Sequence, residues 1–414
     1  MKGNARDNKG DVYSILCILA AAVTLFPLGC NYIMDGGIVA EWTARVAELA
    51  EGFRGGRLCL FPSLEARMAS GIAENAMNSN LWFMLPGALY LLTGKMALAY
   101  KGYMLSIQIG TFLAAFLCFR QIFHQGRMGM AGCVGVVLYM TNPYRIYVCY
   151  DAANLSQAAA WMLLPLYVRA VYGLAGSGGR RKCQCFLVAA LALAGMGYAD
   201  MVFSLTAAAV TVLAAIPARR PLLCAVVAAG YLSAFPGVLR LGRYLFTDAY
   251  AEWGIPLRRI MQNGYHVGQF FSCYAFRDGK PGMGPGMMLC LLTALWRRFV
   301  WGEKGTDRGK RGFTAIALFL TALSLSCFPW DILQRLGGWS VKLVSLIGTP
   351  AVFWGMATAA FCIPAADSIE RISRCENKLT AHVVPIAVIL FSAGICIYQC
   401  NTLTYGRLPM ETGF

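Results

Sequence analysis

An all-α polytopic membrane protein is the fold class this sequence predicts, on three observations. Of 414 residues, 58% are hydrophobic and only 14% are charged, where a soluble domain carries roughly 25% charged residues. Apolar runs long enough, or nearly long enough, to cross a bilayer recur along the chain. The net charge of +16 is explained by basic connections between those runs, as in cytoplasmic loops that set orientation. Nucleic acid is therefore not an expected partner; the lipid bilayer is.

The runs are Val12 to Met34, Ala97 to Phe119, Met128 to Thr141, Gln157 to Leu174, Cys185 to Ala199, Met201 to Ile216, Leu222 to Leu241, Gly284 to Trp296, Phe313 to Phe328, Val344 to Ala366 and His382 to Cys400. The first follows a basic start and reads as an uncleaved signal anchor, being longer than a signal-peptide core. Leu81 to Gly94, which contains Pro86, is either a short span or a helix that enters and returns. If it does not span, the basic pairs Arg120/Arg127 and Arg219/Arg220, the Arg180 to Lys182 cluster and the Arg297 to Arg311 loop all fall on the side of the basic N-terminus. The expectation is about eleven transmembrane helices in a multi-pass cell-membrane protein. The N-terminus is then cytoplasmic, the C-terminus extracytoplasmic, and Leu81 to Gly94 dips in from outside. No repeat or linker divides the chain, so residues 1–414 form a single membrane domain.

Under that topology the polar segments gather outside. They are the first outer loop 35–80, Asn142 to Ser156, the second long loop 242–283, Pro329 to Lys342 and the Asp200 corner. In the first loop, Ile38, Trp42, Val46, Leu49 and Phe53 keep helical spacing, with Glu41, Arg45, Glu48 and Glu51 on the other sides. This pattern predicts an interfacial helix. Asp35 is either its N-cap or a general base at the membrane surface. Arg45, Arg57 and Arg67 offer the rigid forks that bind phosphate oxygens.

In the second segment Asn142-Pro143 ends a span, and Arg145 and Asp151 are expected to pair. Asp200 is a turn residue if the flanking runs form a hairpin, and an intramembrane functional group if they form one bent helix. Arg258, Arg259 and His266 lie in the second long loop, and Asn78 closes the first. Most of the sixteen Cys lie in apolar runs, where they act as small hydrophobes. There is no CxxC pair, and the three His are far apart, so zinc is not expected. Nor is there a phosphate-loop, serine-nucleophile or dinucleotide motif.

Several stretches resemble, in constant order, those of the YfhO-like family of bacterial membrane proteins, which share GT-C glycosyltransferase architecture. They are Asp35 with Arg45 and Gly55-Gly56-Arg57; Gly71 to Asn78 leading into Leu81-Trp82-Phe83-Met84-Leu85-Pro86; Leu138-Tyr139 with Asn142-Pro143-Tyr144-Arg145; Leu164-Pro165-Leu166; Gly264 to Phe271; and Phe328-Pro329-Trp330 with Leu333. The resemblance implies a GT-C-like transferase moving a sugar from a polyprenyl-phosphate donor to a cell-envelope glycan or lipid acceptor on the outer face. Asp35, by position, is then the catalytic base, accepting the acceptor's hydroxyl proton during inverting displacement. Arg45, Arg57, Arg67, Asn78, Arg145, Asp151, Asp200, Arg258, Arg259 and His266 are the candidate substrate-binding residues. No cofactor is specified; a divalent cation is the one candidate.

The chain departs from the family where Val39-Ala40-Glu41 replaces a common His, where Asp200 replaces an outer His, and at Gly348 to Trp354. Relatives also tend to be longer, which implies a compact or catalytically altered member. Two other classes stay open: a transporter or flippase for a lipid-linked or anionic solute, and a non-catalytic assembly factor. Acids confined to one face favour transfer over transport.

Overall fold

Hydrocarbon offers a peptide group no hydrogen-bond partner, so a chain this apolar satisfies its backbone within helices. The computed structural model describes residues 2–30, 33, 38–58, 60–61, 78–123, 129–176, 178–246, 260–272, 280–300, 308–373 and 378–406. Among them there is no strand, only an isolated bridge between Tyr265 and Leu325. The principal helices are α1 (Lys2–Val23), α2 (Val39–Arg54), α3 (Met84–Thr93), α4 (Met96–Ile122), α5 (Met130–Met140), α6 (Leu155–Gly176), α7 (Gly179–Ala199) and α8 (Met201–Ala218). They continue with α9 (Pro221–Ser233), α10 (Phe235–Phe246), α11 (Pro285–Val300), α12 (Arg308–Ser324), α13 (Gly338–Ile347), α14 (Ala351–Ile372) and α15 (Lys378–Gly406).

A helix lies in every apolar run. By length and apolarity α4, α7, α8, α14 and residues 383–404 of α15 can each cross a membrane, and α9 with α10 makes a sixth if that pair, bent by 87°, is one broken span. The other runs hold shorter or more polar helices. Three runs are interrupted where continuity was expected, each at a residue that resists helix. The first ends at Val23 and passes into a 3-10 turn, Phe26–Gly29, with Pro27 at its start. Pro236 opens α10 after the bend and lacks the N–H that would continue α9. Between α13 and α14, Gly348 has φ of 68° and Pro350 follows. Helix α3, preceded by the 3-10 turn Asn80–Phe83, stops at Gly94, which caps it in the left-handed conformation. Its ten residues rise about 15 Å, half of the roughly 30 Å hydrocarbon core.

Helix α5 is buried along its whole length and packs on α1, α4, α14 and α15. Around it the connections separate into two ends. At one end, Lys310 of α12 lies 2.8 Å from Asp367 and 2.9 Å from Glu370 of α14, and its ammonium sits 4.4 Å above the Phe123 ring. Arg371 bonds Asp367 at 3.0 Å. This cluster joins the end of α4, the start of α12 and the end of α14, and it lies among the basic connections. Burial pulls the Lys310 ammonium down, but its bonds to the two carboxylates outweigh this and raise it above the ordinary lysine value.

The polar segments meet at the other end. Ile38 N–H donates to Ala152 O, Ser79 N–H to Tyr198 O and Asn80 N–H to Leu60 O. Trp82 Nε1 donates to Gly195 O, and Trp354 Nε1 to Pro281 O. The first loop, the 142–154 segment, the Asp200 corner and the 260–284 stretch therefore form one assembly.

Lys310→Met would leave Asp367, whose carboxylate is only 9% exposed, with Arg371 as its cation and take the ammonium from Glu370. Loss of one partner from a buried pair costs about 3 kcal/mol, and Arg371 offsets part of it here. We expect a lower melting temperature for the variant in detergent, partly recovered in the double variant with Glu370→Gln.

Candidate functional site

The assembly is built on α2. The apolar face expected there is buried: Trp42, Val46 and Leu49 are each 1% exposed or less, and Trp42 stacks on Tyr100 at 5.1 Å. The polar side departs from expectation. Arg45, which helical spacing leaves on that side, is buried. Its Nε and Nη2 donate to Asn80 Oδ1 at 3.1 and 3.0 Å, Nη2 also donates to Asn78 O at 3.1 Å, and the guanidinium lies 4.3 Å from the Phe83 ring centre. Glu41 is 3.7 Å away, one turn earlier. Burial lowers the Arg45 guanidinium to about 10, against the opposing pull of Glu41 and Glu48. The physical reason is tertiary: the 78–83 segment covers this side and supplies the acceptors a buried fork requires. Ile38 is the N-cap and makes no side-chain cap bond. Asp35, considered for the capping role, lies outside the described residues.

The next segment begins where α5 breaks. Asn142 Oδ1 accepts from the N–H groups of Tyr144 and Arg145, starting a single turn with Pro143 at its first position. A five-residue π-helical turn, Tyr147–Asp151, follows. The break leaves the Met140 carbonyl without an intrahelical partner, and Arg145 takes it. Its Nε donates at 3.1 Å and its Nη2 donates to the same oxygen, while Nη1 donates to Gln108 Oε1 at 2.6 Å. The expected pairing of Arg145 with Asp151 is replaced by these neutral acceptors. Gln108 Nε2 donates to Tyr150 Oη at 3.2 Å, and Tyr150 donates to Thr24 O at 2.7 Å.

Asp200 occupies a tight corner between α7 and α8, as the hairpin alternative has it. Its Oδ1 accepts from Phe203 N–H at 2.9 Å, capping α8. Burial raises the carboxyl above the usual carboxylate value, partly offset by N–H groups of Phe203 and Val202. Beside it stand phenols. Burial lifts Tyr144 well above its ordinary value, and the nearby Tyr147 and Asp200 push it the same way. Tyr265 is raised likewise, by burial and then by Tyr144 and Tyr147. Tyr144 tilts against Trp161, Trp161 against Phe203 and Tyr265 against Trp354, while Tyr265 stacks on Phe270. A carboxyl, three phenols and a group of flat rings thus converge at one end of the bundle. Flat rings suit the apolar faces of a sugar, and burial of the carboxyl disfavours its charged form.

Of the predicted residues, Asp35, Arg67, Arg258 and Arg259 lie outside the described residues. Arg45, Asn78, Arg145, Asp151 and Asp200 are buried. Arg57 is exposed just after α2. His266 is exposed, with Nδ1 3.1 Å from Ser326 Oγ and its backbone N–H donating to Gln269 Oε1. Sequence reasoning missed Gln108, Tyr150 and Asn80. The signal for Gln108 was available: a lone amide within an apolar span needs a partner. Among the described residues no three His, Cys, Asp or Glu side chains cluster to hold a metal. No protein-family model and no curated protein matches the chain.

A carboxyl whose native pKa exceeds its unfolded value binds more protons folded than unfolded, so stability falls as pH rises from the usual carboxylate range through the native value. Asp200→Asn keeps the cap without that titration. Its stability margin over the parent should grow with pH across this window, read as melting temperature between about pH 4 and 8. Asp200→Ala, losing the cap, should cost about 1 kcal/mol.

Proposed function

We propose that the chain is a GT-C-like membrane glycosyltransferase of eleven spans that moves a sugar from a polyprenyl-phosphate donor to a cell-envelope glycan or lipid acceptor. The observation that carries the reading is the gathering of the described parts of the resembling polar segments at one end of the bundle, away from the basic connections. Ile38, Asn78 to Pro86, Tyr144, Arg145 and Tyr265 all belong to that end. With basic connections inside the cell, this end faces out, where a lipid-linked sugar donor would be met.

In the transfer, Asp35 accepts the proton of the acceptor hydroxyl as its oxygen bonds to the anomeric carbon. The bond from that carbon to the donor phosphate breaks on the opposite face, and the phosphate leaves with the electron pair. Positively charged side chains of the outer segments, Arg57 among them, stabilise the phosphate. Of the described acids, Glu41, Glu48, Asp151 and Asp200 belong to the polar end, while Asp367 and Glu370 stand at the other, where Lys310 pairs with both. The bent α9–α10 pair is the feature a transporter would use.

Two measurements test the reading. Cysteines placed at Asp35, Arg57 and His266 should react with impermeant reagents from outside in intact cells; labelling only after permeabilisation would end both the topology and the lipid-sugar assignment. Deletion of the protein should remove a sugar from envelope glycans, read by mass spectrometry, and Asp35→Asn should reproduce that loss with a rate reduction of about 10²–10⁴-fold. An unchanged glycan in Asp35→Asn, beside a loss in the deletion, would remove Asp35 from catalysis.

A further inference from the structure

An apolar cleft opens beside the turn between α8 and α9. It has a volume of about 680 Å³, within the roughly 300–1,000 Å³ of small-molecule sites. Its walls include Val168 and Val171 of α6, Val210 of α8, Ile316 of α12, and Ala359 and Ile363 of α14. The hydroxyls in the wall are already satisfied by protein: Tyr167 and Thr211 are 2.6 Å apart, and Tyr139 donates to Trp161 O at 2.6 Å. A sugar would find few hydrogen-bond partners here, whereas a hydrocarbon chain would find matching surface.

The mouth has a different character. Arg220 is the sole charged residue of the lining. It is exposed, in the turn between α8 and α9, and among the described residues no ion-pair or hydrogen-bond partner reaches its guanidinium. Gly312 and Phe313, just after the basic start of α12, share this rim. Along α8 the lining runs from Ala207 to Ala218, about 17 Å at the helical rise. That is close to half of the roughly 30 Å hydrocarbon core, the depth of one leaflet. An apolar slot one leaflet deep, with an unpartnered guanidinium at the headgroup level, is complementary to a single amphiphile.

We infer that this cleft binds one acyl chain of an anionic phospholipid, drawn from the leaflet at the basic end, with the lipid phosphate on Arg220. The site is remote from the transferase assembly and stands whether or not transfer occurs there. Arg binds phosphate oxygens through its fork; in phosphatidylcholine the choline ammonium offsets that phosphate charge and repels the guanidinium, so selection for net anionic lipid comes from Arg220, and retention comes from the apolar walls.

The full chain, purified in detergent and offered dioleoyl-phosphatidylglycerol or dioleoyl-phosphatidylcholine, should retain the anionic lipid in preference by native mass spectrometry. Arg220→Gln should lower phosphatidylglycerol retention about five- to tenfold and leave phosphatidylcholine unchanged. Ala214→Phe, at an exposed wall position, should lower retention of phosphatidylglycerol by filling the slot. Phosphatidylglycerol carrying a mid-chain diazirine should label residues 164–172 or 312–320 above the outward surfaces of α7 and α15, a readout that needs no variant. Equal retention of the two lipids, an Arg220→Gln variant of unchanged melting temperature and unchanged selectivity, or label spread evenly over the exterior would each overturn the assignment.

Discussion

Arg145 holds a buried guanidinium in a bundle whose surroundings cannot solvate it, and the polar end of the molecule is arranged to meet that demand. A charged group removed from water is tolerated only when its donors are met. Here the break of α5 at Asn142-Pro143 exposes a carbonyl, and the guanidinium two residues beyond the proline bonds it through two nitrogens. Gln108 accepts from the third. Gln108 in turn is held by Tyr150, and Tyr150 by the Thr24 carbonyl, while Thr24 Oγ1 lies 3.4 Å from Gln108 Oε1. The network therefore links the ends of α1 and α5 to the middle of α4 and the π-helical turn. A defect in one helix becomes the joint between four segments.

The same rule governs Arg45, with a different solution. There the acceptors come from Asn78 and Asn80 rather than from a broken helix, and Phe83 covers the cation. The consequence is positional: the 78–83 segment is fixed on α2, and Ser79 and Trp82 then reach the α7 end and fix it to the Asp200 corner. Both buried arginines thus act as internal fasteners for the polar end. A guanidinium already bonded to protein has little left to offer a ligand, so the proposed phosphate recognition turns to exposed cations such as Arg57.

What the sequence revealed and what it hid divide along local and non-local lines. The helix over 39–54, the end of α5 at Asn142 and the stop at Gly94 follow from short-range signals: periodic apolar residues, a residue before proline, a glycine able to adopt positive φ. Breaks at Gly348-Thr349-Pro350 and before Pro236 were signalled equally locally, yet apolarity counted over a window passes across them. The burial of Arg45 was not legible, because helical spacing says which residues share a face and nothing about what covers it. Lys310 was hidden for the same reason: its partners lie 57 and 60 positions away, and only the packing of α12 against α14 brings them together. Of the candidate site, the gathering of polar segments at one end was readable from charge, whereas the phenols Tyr144 and Tyr265 beside Asp200 were not.

These contrasts bear on which carboxyl suits proton transfer at the polar end. Asp200 has a raised pKa, but one of its oxygens is committed to capping α8, and tight packing around Trp161 and Phe203 stabilises the corner more than it admits a substrate. A base must instead reach an acceptor hydroxyl from a segment held near rigid elements. Asp35 falls between Ile33, which is buried, and Ile38, whose N–H is bonded to Ala152. Helix α2 itself starts at Ile38, whose side chain offers no cap, and the proposed transfer gives the base to Asp35 in the segment between those two anchored residues. The Asp200 corner, with Tyr144 and Tyr265 near it, is on this reasoning a packed support of the polar end.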